Sequence, residues 1–561
     1  PSACVLLLCF LYLKPDTKDI GLMKKLDRHY DVIVIGGGAT GAGTARDCAL
    51  RGLKVLLVER FDFTHGATGR NHGLLHSGAR YAVTDGESAK ECIEENMILR
   101  RIASGCVEET GGLFITLPED DLAYQKIFID ACRAAGIRAE AIAPDLARRL
   151  EPSVNPDLIG AVKVPDGSID PFRLTMANVT DAKLHGADIL TYHEVSDFIR
   201  TGSRIEGVIM LDHRNAGEEV RATADVVVNA AGIWGHLLAE KAGVTVKMFP
   251  AKGALLVFGH RVNNVVVNRC RKPANADILV PGDTVCVIGT TSDRVPFESV
   301  DRMEVTPEEV DVLLREGVKL APSLATTRIL RAYAGVRPLV ASDDDPSGRS
   351  ISRGIVCLDH ATRDGLEGLV TITGGKLMTY RLMAEWATDT VCRKLGRGNI
   401  KCVTAERPLP GSESPELPRQ PATAGAKAAI GRHGTLASKI PADTASDRAL
   451  VCECENVSVG EIEYAIDNLN IENLHNLRRR TRLGMGTCQG QLCVCRAAAI
   501  LEKRDGCAVR HLDGIRQFVN ERWKGMRPVA WGDNLAEAWF TAWMYGNVAG
   551  LDSLEPSGEM N

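Results

Sequence analysis

From Tyr30 onward, short apolar runs alternate with glycine-rich breaks and amphipathic stretches. Asp31-Val32-Ile33-Val34-Ile35 is followed by a glycine-rich turn from Gly36 to Gly43 and a second apolar run from Leu53 to Glu59. Apolar run, glycine turn, helix and apolar run predict a βαβ unit that opens a doubly wound sheet. Further strands are predicted at 224–229, 254–258, 285–288 and 368–372, with helices at 87–103 and 121–135. The expected architecture is α/β: a Rossmann-like dinucleotide-binding domain with an inserted mixed-sheet domain, together spanning 30–404. The apolar run at 3–13 is too short to span a bilayer, and neither a basic segment nor a cleavage site flanks it. Met23-Lys24-Lys25 reads as the start, and 1–22 as a non-native extension.

The pattern changes after residue 404. Pro408, Pro410, Pro415 and Pro418 cluster among Gly, Ser and Ala, which predicts a linker over 405–447. Residues 448–505 read as a compact module organised around cysteines. A tail over 506–561 carries Trp523, Trp531, Trp539 and Trp543, so it is expected to be ordered before a fraying polar end.

The net charge of 67 − 72 = −5 and the sparse aromatics argue against a nucleic-acid partner. Most of the 17 cysteines lie singly in apolar contexts, which suits a reducing, cytoplasmic compartment rather than a disulfide framework. The exceptions are Cys452-Glu453-Cys454 and Cys488-Gln489-Gly490-Gln491-Leu492-Cys493. Four soft thiolates in two close pairs are ligands for an iron–sulfur cluster or for zinc. The run Arg478-Arg479-Arg480-Thr481-Arg482 just before Cys488 is placed to offset the net negative charge of a thiolate-ligated cluster. The alternative is a solvated or partner-docking basic patch.

Gly36, Gly38 and Gly41 occupy the three fingerprint positions. They serve a tight turn, close approach of backbone to a pyrophosphate, and helix-on-strand packing. Glu59 ends the second strand, where an acid hydrogen-bonds ribose hydroxyls and disfavours a 2′-phosphate. The fingerprint alone does not choose between NAD and FAD.

Later segments make that choice. Gly66-Ala67-Thr68-Gly69-Arg70-Asn71-His72-Gly73-Leu74-Leu75-His76-Ser77-Gly78-Ala79-Arg80-Tyr81, Asn229-Ala230-Ala231-Gly232 and Gly374-Gly375-Lys376 resemble the FAD-dependent family that includes D-amino-acid oxidase and flavin-linked glycerol-3-phosphate dehydrogenase. Ala334-Gly335-Val336-Arg337-Pro338-Leu339 and Gly374-Gly375-Lys376-Leu377-Met378-Thr379-Tyr380-Arg381 resemble the glycerol-3-phosphate branch. With the cysteine module added, the chain resembles the catalytic A subunits of bacterial anaerobic glycerol-3-phosphate dehydrogenases. Their C-terminal module is similar to bacterioferritin-associated ferredoxin and holds a [2Fe-2S] cluster.

The resemblance implies oxidation of sn-glycerol 3-phosphate to dihydroxyacetone phosphate. Electrons then pass from FAD through the cluster to two partners, the flavoprotein B subunit plus the membrane-associated iron–sulfur C subunit, and reach a quinone indirectly. It places any FMN of the complex on a partner subunit, and this chain on the cytoplasmic face of the inner membrane. The implied FAD-binding residues are Gly36, Gly38, Gly41, Glu59, Thr68, Asn71, Ala231, Gly232, Gly374, Gly375 and Lys376, and the cluster ligands Cys452, Cys454, Cys488 and Cys493, with Cys495 near enough to replace Cys493. Arg80 and Arg337 match the family's substrate arginines, and an arginine fork suits a phosphate dianion. Lys376 is placed at the flavin, and Tyr81 near the phosphate. Aerobic relatives carry a histidine after Lys-Gly-Ser. Here the stretch is Lys252-Gly253-Ala254-Leu255, so His72 and His76 become the candidate bases. The competing readings are a same-fold FAD dehydrogenase of an amino or 2-hydroxy acid, and a non-catalytic flavin/iron–sulfur relay subunit.

Overall fold

The computed structural model describes residues 28–340, 354–413 and 423–551. The expectations for 1–22, for Pro415 and Pro418, and for a fraying end beyond 551 concern residues outside these.

The predicted βαβ unit is present as β1 (His29–Ile35), α1 (Ala39–Leu50) and β2 (Val55–Val58), with β1 and β2 parallel. Both strands are almost wholly buried, so they read as continuous apolar runs rather than alternating ones. The sheet continues from β2 to β3 (Asp188–Leu190). On the other side of β1 lie the antiparallel strands β4 (His193–Thr201) and β5 (Arg204–Asp212), then β6 (Glu218–Asn229), which runs parallel to β1. The last residues of β6 also pair with a later strand, Leu369–Gly374.

A nine-stranded sheet carries the inserted domain. At one end of it β7 (Met248–Phe258) and β8 (Ile329–Val340) pair antiparallel along nearly their whole length. The return to the first sheet is made by β9 (Ile355–Asp359) and β10 (Leu369–Gly374), followed by α2 (Tyr380–Lys394), which packs against α1. The expected strands and helices thus appear, with the strands predicted at 224–229 and 254–258 each starting six residues earlier. Residues 87–103 form the helix Gly86–Ile102, and 121–135 the helix Tyr124–Ala134.

The linker reading of 405–447 is corrected in its second half. Residues 424–448 form α3 (Ala424–His433), a 3-10 turn Gly434–Lys439 and α4 (Ala445–Arg448). Arg432 on α3 is buried against Glu461 at 2.5 Å, and its Nη1 donates to Glu455 O. Prolines and small residues suggested a loose connection, but a buried guanidinium fixes the segment to the cysteine module. That module continues with α5 (Val459–Asn468), α6 (Leu474–Thr481) and α7 (Cys493–Asp505), and the chain then forms α8 (Ala508–Met526) and α9 (Gly532–Trp543). One apolar core runs from Val32, Val34 and Leu57 of the first sheet to Val451, Leu477 and Phe518. The cysteine module therefore shares its core with the dinucleotide-binding sheet.

Candidate active site and cluster site

A cavity of about 720 Å³ lies at the C-terminal ends of β1, β6 and β10, where doubly wound sheets bind their ligands. Its base is the glycine turn. Gly36 has φ +112°, and a Cβ there would sit 2.6 Å from Ala230 O. A Cβ on Gly41 would overlap Gly36 O, so the helix meets the strand only with hydrogen at that position. Gly38 caps α1 without a side chain, and the Ala39 N–H donates to Thr68 Oγ1 at 3.1 Å. This leaves a helix N-terminus facing an open cradle, as a pyrophosphate requires.

Glu59 accepts from the N–H of Gly37 at 2.6 Å and of Phe61 at 2.8 Å. Burial still pushes its carboxyl up from the ordinary value, so hydroxyl donors from a ribose would be favourable there. Ala231, Gly232, Gly374 and Gly375 line the same cavity. Gly374 and Gly375 both have positive φ, and a Cβ on either would fall 2.5 Å from a neighbour, Gly354 O or Met383 Sδ. Asn71 also lines the cavity, but its side chain is engaged with its own loop: Nδ2 donates to Thr68 O, and Oδ1 accepts from Gly73 N. Its part is to shape the loop. The cradle fits an FAD-sized dinucleotide.

At the other end of the cavity stand His72, His76, Arg80, Tyr81, Arg337 and Lys376. Lys376 Nζ lies 4.8 Å from the Tyr81 ring centroid, and that ring stacks on His76 at 4.9 Å. Arg80 Nη2 donates to Ala274 O at 2.9 Å and to buried Asp277 at 3.2 Å, which fixes the guanidinium at the wall. Arg337 donates to Thr290 Oγ1, to Thr291 O at 3.1 Å and to Lys252 O at 3.3 Å. Gly253 makes room for it, since a Cβ there would meet Nη2 at 2.6 Å. Thr290 was not singled out from the sequence, where nothing marks it, and Gly253 appeared only as part of the Lys252-Gly253-Ala254-Leu255 stretch.

The two histidines are both engaged at Nδ1 by backbone. Leu74 N–H donates to His72 Nδ1 at 3.3 Å, and Gly78 N–H to His76 Nδ1 at 2.9 Å. With Nδ1 accepting, a neutral ring carries its proton on Nε2 and acts there as a donor. Burial, then Arg337 and Arg80, pushes His72 down to about 3. Both rings are better suited to donate a hydrogen bond than to take a proton.

The four predicted cysteines come together in pairs. The thiol of Cys493 bonds Cys452, and Cys454 pairs with Cys488. The Cys493 bond, with backbone N–H groups of Gly484 and Glu455, draws Cys452 down to about 6. A Cβ on Gly486 would lie 2.5 Å from Cys454 Cβ, so backbone closes tightly over the site. Two-by-two sulfurs with N–H donors fit a two-iron cluster, where hydrogen bonds to sulfur tune the potential. Cys495 is exposed and outside both pairs. The arginine run is not arrayed on these sulfurs: Arg479 and Arg480 bind Asp62, and Arg482 binds Glu455 and Asp283. Among the described residues no helix is long and apolar enough to cross a membrane.

Comparison with known proteins agrees with this geometry. The family described as FAD dependent oxidoreductase matches residues 31–381, and the BFD-like [2Fe-2S] binding domain matches 450–503. The chain is 61% identical over 549 residues to the A subunit of anaerobic glycerol-3-phosphate dehydrogenase from Haemophilus influenzae, covering 97% of each. It is 62% identical over 529 residues to the protein of the same name from Escherichia coli, covering 93% of this chain and 97% of that one. The structure of glycerol-3-phosphate dehydrogenase from Bacillus halodurans complexed with FAD superposes with a TM-score of 0.69 at 23% identity, covering 91% of this chain and 97% of that one, a likeness of fold. The chain belongs to the FAD-dependent oxidoreductase family, in the branch of the anaerobic glycerol-3-phosphate dehydrogenase A subunits, and carries a BFD-like [2Fe-2S] domain.

Proposed function

We propose that this protein oxidises sn-glycerol 3-phosphate to dihydroxyacetone phosphate and hands the electrons to partner subunits. The observation that carries the reading is the joining of a dinucleotide cradle with Arg80, Arg337 and Lys376 in one cavity. When bound, FAD supplies the hydride acceptor and the [2Fe-2S] cluster a one-electron exit.

The chain's own residues do the rest. Arg337 holds the phosphate dianion through its fork, and Arg80, fixed by Asp277, lines the same wall. Tyr81 is the stacked platform that keeps Lys376 and His76 in register, and Lys376 offers positive charge where negative charge builds on the ring. The Nε2–H groups of His72 and His76 orient the substrate oxygens.

The finer reading of the partners, a flavoprotein B subunit together with a membrane-associated iron–sulfur C subunit, draws support from the C-terminal helices. Trp531, Leu535, Trp539, Phe540 and Trp543 are exposed there, Trp539 by 76%. Tyr545 ties this face to the cluster loop by donating to Gly490 O and Gln491 O, beside exposed Leu492. An aromatic face of this kind suits a protein interface. Through it the chain would sit on the cytoplasmic side of the inner membrane without a span of its own.

Anaerobic titration of the holoprotein tests the activity. Glycerol 3-phosphate should bleach the flavin band and reduce the cluster without any partner, while lactate and amino acids should not. Bleaching by an amino or 2-hydroxy acid in preference to glycerol 3-phosphate would replace the substrate; bleaching by none would make the chain a relay component. Trp539→Ser should lower co-purification of partner subunits and leave bleaching intact.

A further inference from the structure

A second cavity, of about 650 Å³, lies behind the first and shares His65, Arg70, Asn71 and His72 with it. Its far end reaches Met485 and Gln489, on either side of Cys488. It therefore lies between the flavin cavity and the cluster loop, and neither the dinucleotide cradle nor the proposed substrate wall accounts for it.

Its charges are unusual. Arg70 comes from the loop after β2, Arg331 from β8 and Arg478 from α6, while α8 contributes one carboxylate, Glu521. Among the described residues no carboxylate stands within ion-pair distance of Arg331 or Arg478. Arg331 Nε is buried with no hydrogen-bond partner. Its side chain passes beneath α8 at Gly525, where a Cβ would come within 2.9 Å of Nε. Arg70 has only His65 Nε2 at 3.5 Å, and burial keeps that ring neutral by pushing it down to about 2. Arg479 is not available, being committed to Asp62. Acids elsewhere on the wall are also engaged: Asp170 and Asp283 by Arg173 and Arg482, Glu304 by Arg527 and Glu108 by Arg261, while Glu413 accepts from Gly411 N–H and Thr435 Oγ1.

Three half-buried guanidiniums thus line the cavity, and Glu521, the carboxylate whose charge acts on all three, is itself exposed and pairs with none of them. Burial and the neighbouring Arg331 push Arg478 down to about 9, the direction expected of like charges lacking a counter-ion. Buried charges are ordinarily paired, because leaving one uncompensated is costly. Guanidiniums gathered from separate segments match the oxygens of phosphate, which they bind through paired N–H donors. The cavity is far larger than an inorganic ion needs, and Val257, Val287 and Tyr333 give it an apolar side for an organic body.

We propose that this second cavity binds an organic phosphate, its phosphate held by Arg331, Arg478 and Arg70. Two sources share that chemistry: a second molecule of a small sugar- or polyol-type phosphate, and a nucleotide-type phosphate with an aromatic ring. The site is distinct from the Arg337 wall, so its success or failure leaves the substrate assignment untouched.

The test uses the full-length, FAD-loaded protein. Phosphorus is measured against flavin, and binding of glycerol 3-phosphate, adenosine monophosphate and pyrophosphate is measured by calorimetry at fixed ionic strength in an Arg337→Ala background. The expected result is one of two. Either the protein carries phosphorus in excess of its FAD, lost in Arg478→Gln, or a probe binds about ten- to a hundredfold more tightly than it does to Arg478→Gln. Preference for glycerol 3-phosphate or for the nucleotide identifies the source. Arg331→Gln serves as the second variant should Arg478→Gln lose flavin. No excess phosphorus, with probe binding unchanged by either substitution, overturns the proposal.

Discussion

Asp62 accepts a buried ion pair from Arg480, Oδ1 to Nη2 at 2.5 Å, with Arg479 on its other oxygen at 2.8 Å. Asp62 lies three residues beyond Glu59, the acid facing the ribose position, whereas both arginines belong to α6 of the cluster module. Phe63 adds its ring 5.4 Å below Arg480. The loop that completes the dinucleotide site is thus also where the cluster module docks. Asp62→Asn leaves two guanidiniums without their carboxylate, and breaking such a buried pair costs about 3–5 kcal/mol. Thermal unfolding followed by flavin fluorescence should fall accordingly, and flavin release should precede loss of helical signal.

The same pair sets an acid limit. Burial raises the Asp62 carboxyl, but the two guanidiniums outweigh it and hold it at about 2. A depressed carboxyl contributes stability above its unfolded pKa of about 3.9 and loses it as pH falls through the folded value. The part of that cost that titrates, on the order of 2–3 kcal/mol, should therefore be complete at pH 5 and vanish between about pH 4 and 2. Denaturant midpoints of wild type and Asp62→Asn should converge over that window. A constant difference down to pH 2 would assign the stability to packing instead.

Much of the first sheet was legible because each cue is local. Gly36, Gly38, Gly41 and Glu59 act within one βαβ unit, and their spacing survives whatever surrounds them. The cysteine pairs were legible for the same reason. What escaped depends on contacts between distant segments. Nothing in 424–448 announces that Arg432 is buried on Glu461, and no periodicity tells that Arg480 meets Asp62 across 418 residues. The histidines are a different case: residue type suggested a base, and what the sequence does not carry is that each Nδ1 is engaged by a backbone N–H two residues on.

The cysteine pairing makes Cys493 and Cys495 unequal. Cys493 is buried opposite Cys452, and Cys495, two residues on and so on another side of the same helix, is exposed. Cys488→Ser and Cys493→Ser should each remove the cluster's visible absorbance and EPR signal, while Cys495→Ser should keep both. FAD content should remain in all three, since none of these residues lines the dinucleotide cavity. A cluster retained in Cys493→Ser but lost in Cys493→Ser/Cys495→Ser would show that the exposed thiol can serve.

His72 bears on the pH profile. Burial and the neighbouring arginines hold it at about 3, so it is neutral from pH 5 upward. It should therefore produce no inflection in kcat/KM between about pH 5 and 8. His72→Gln, which keeps a donor, should retain more activity than His72→Phe at every pH in that range. An acid limb near pH 6.5 that disappears in His72→Gln would restore the ring as a proton acceptor.

Arg337 offers the sharpest separation of binding from structure. Hydrogen bonds to charged groups are worth about 1.5–3 kcal/mol each. Arg337→Ala should thus lower kcat/KM for glycerol 3-phosphate by about ten- to several-hundredfold, at about 1.4 kcal/mol per decade. Unphosphorylated glycerol, with no dianion to lose, should be affected far less, and Arg337→Lys should rescue only in part because a point charge cannot reproduce the fork. Gly253→Ala gives an independent approach to the same group: its Cβ would meet Nη2 at 2.6 Å and push the guanidinium off Thr291 O and Lys252 O. It should raise KM for glycerol 3-phosphate while leaving flavin content unchanged. Equal losses on glycerol and glycerol 3-phosphate in both variants would make Arg337 a support for the β7–β8 pair, and the phosphate anchor would have to be sought at Arg80.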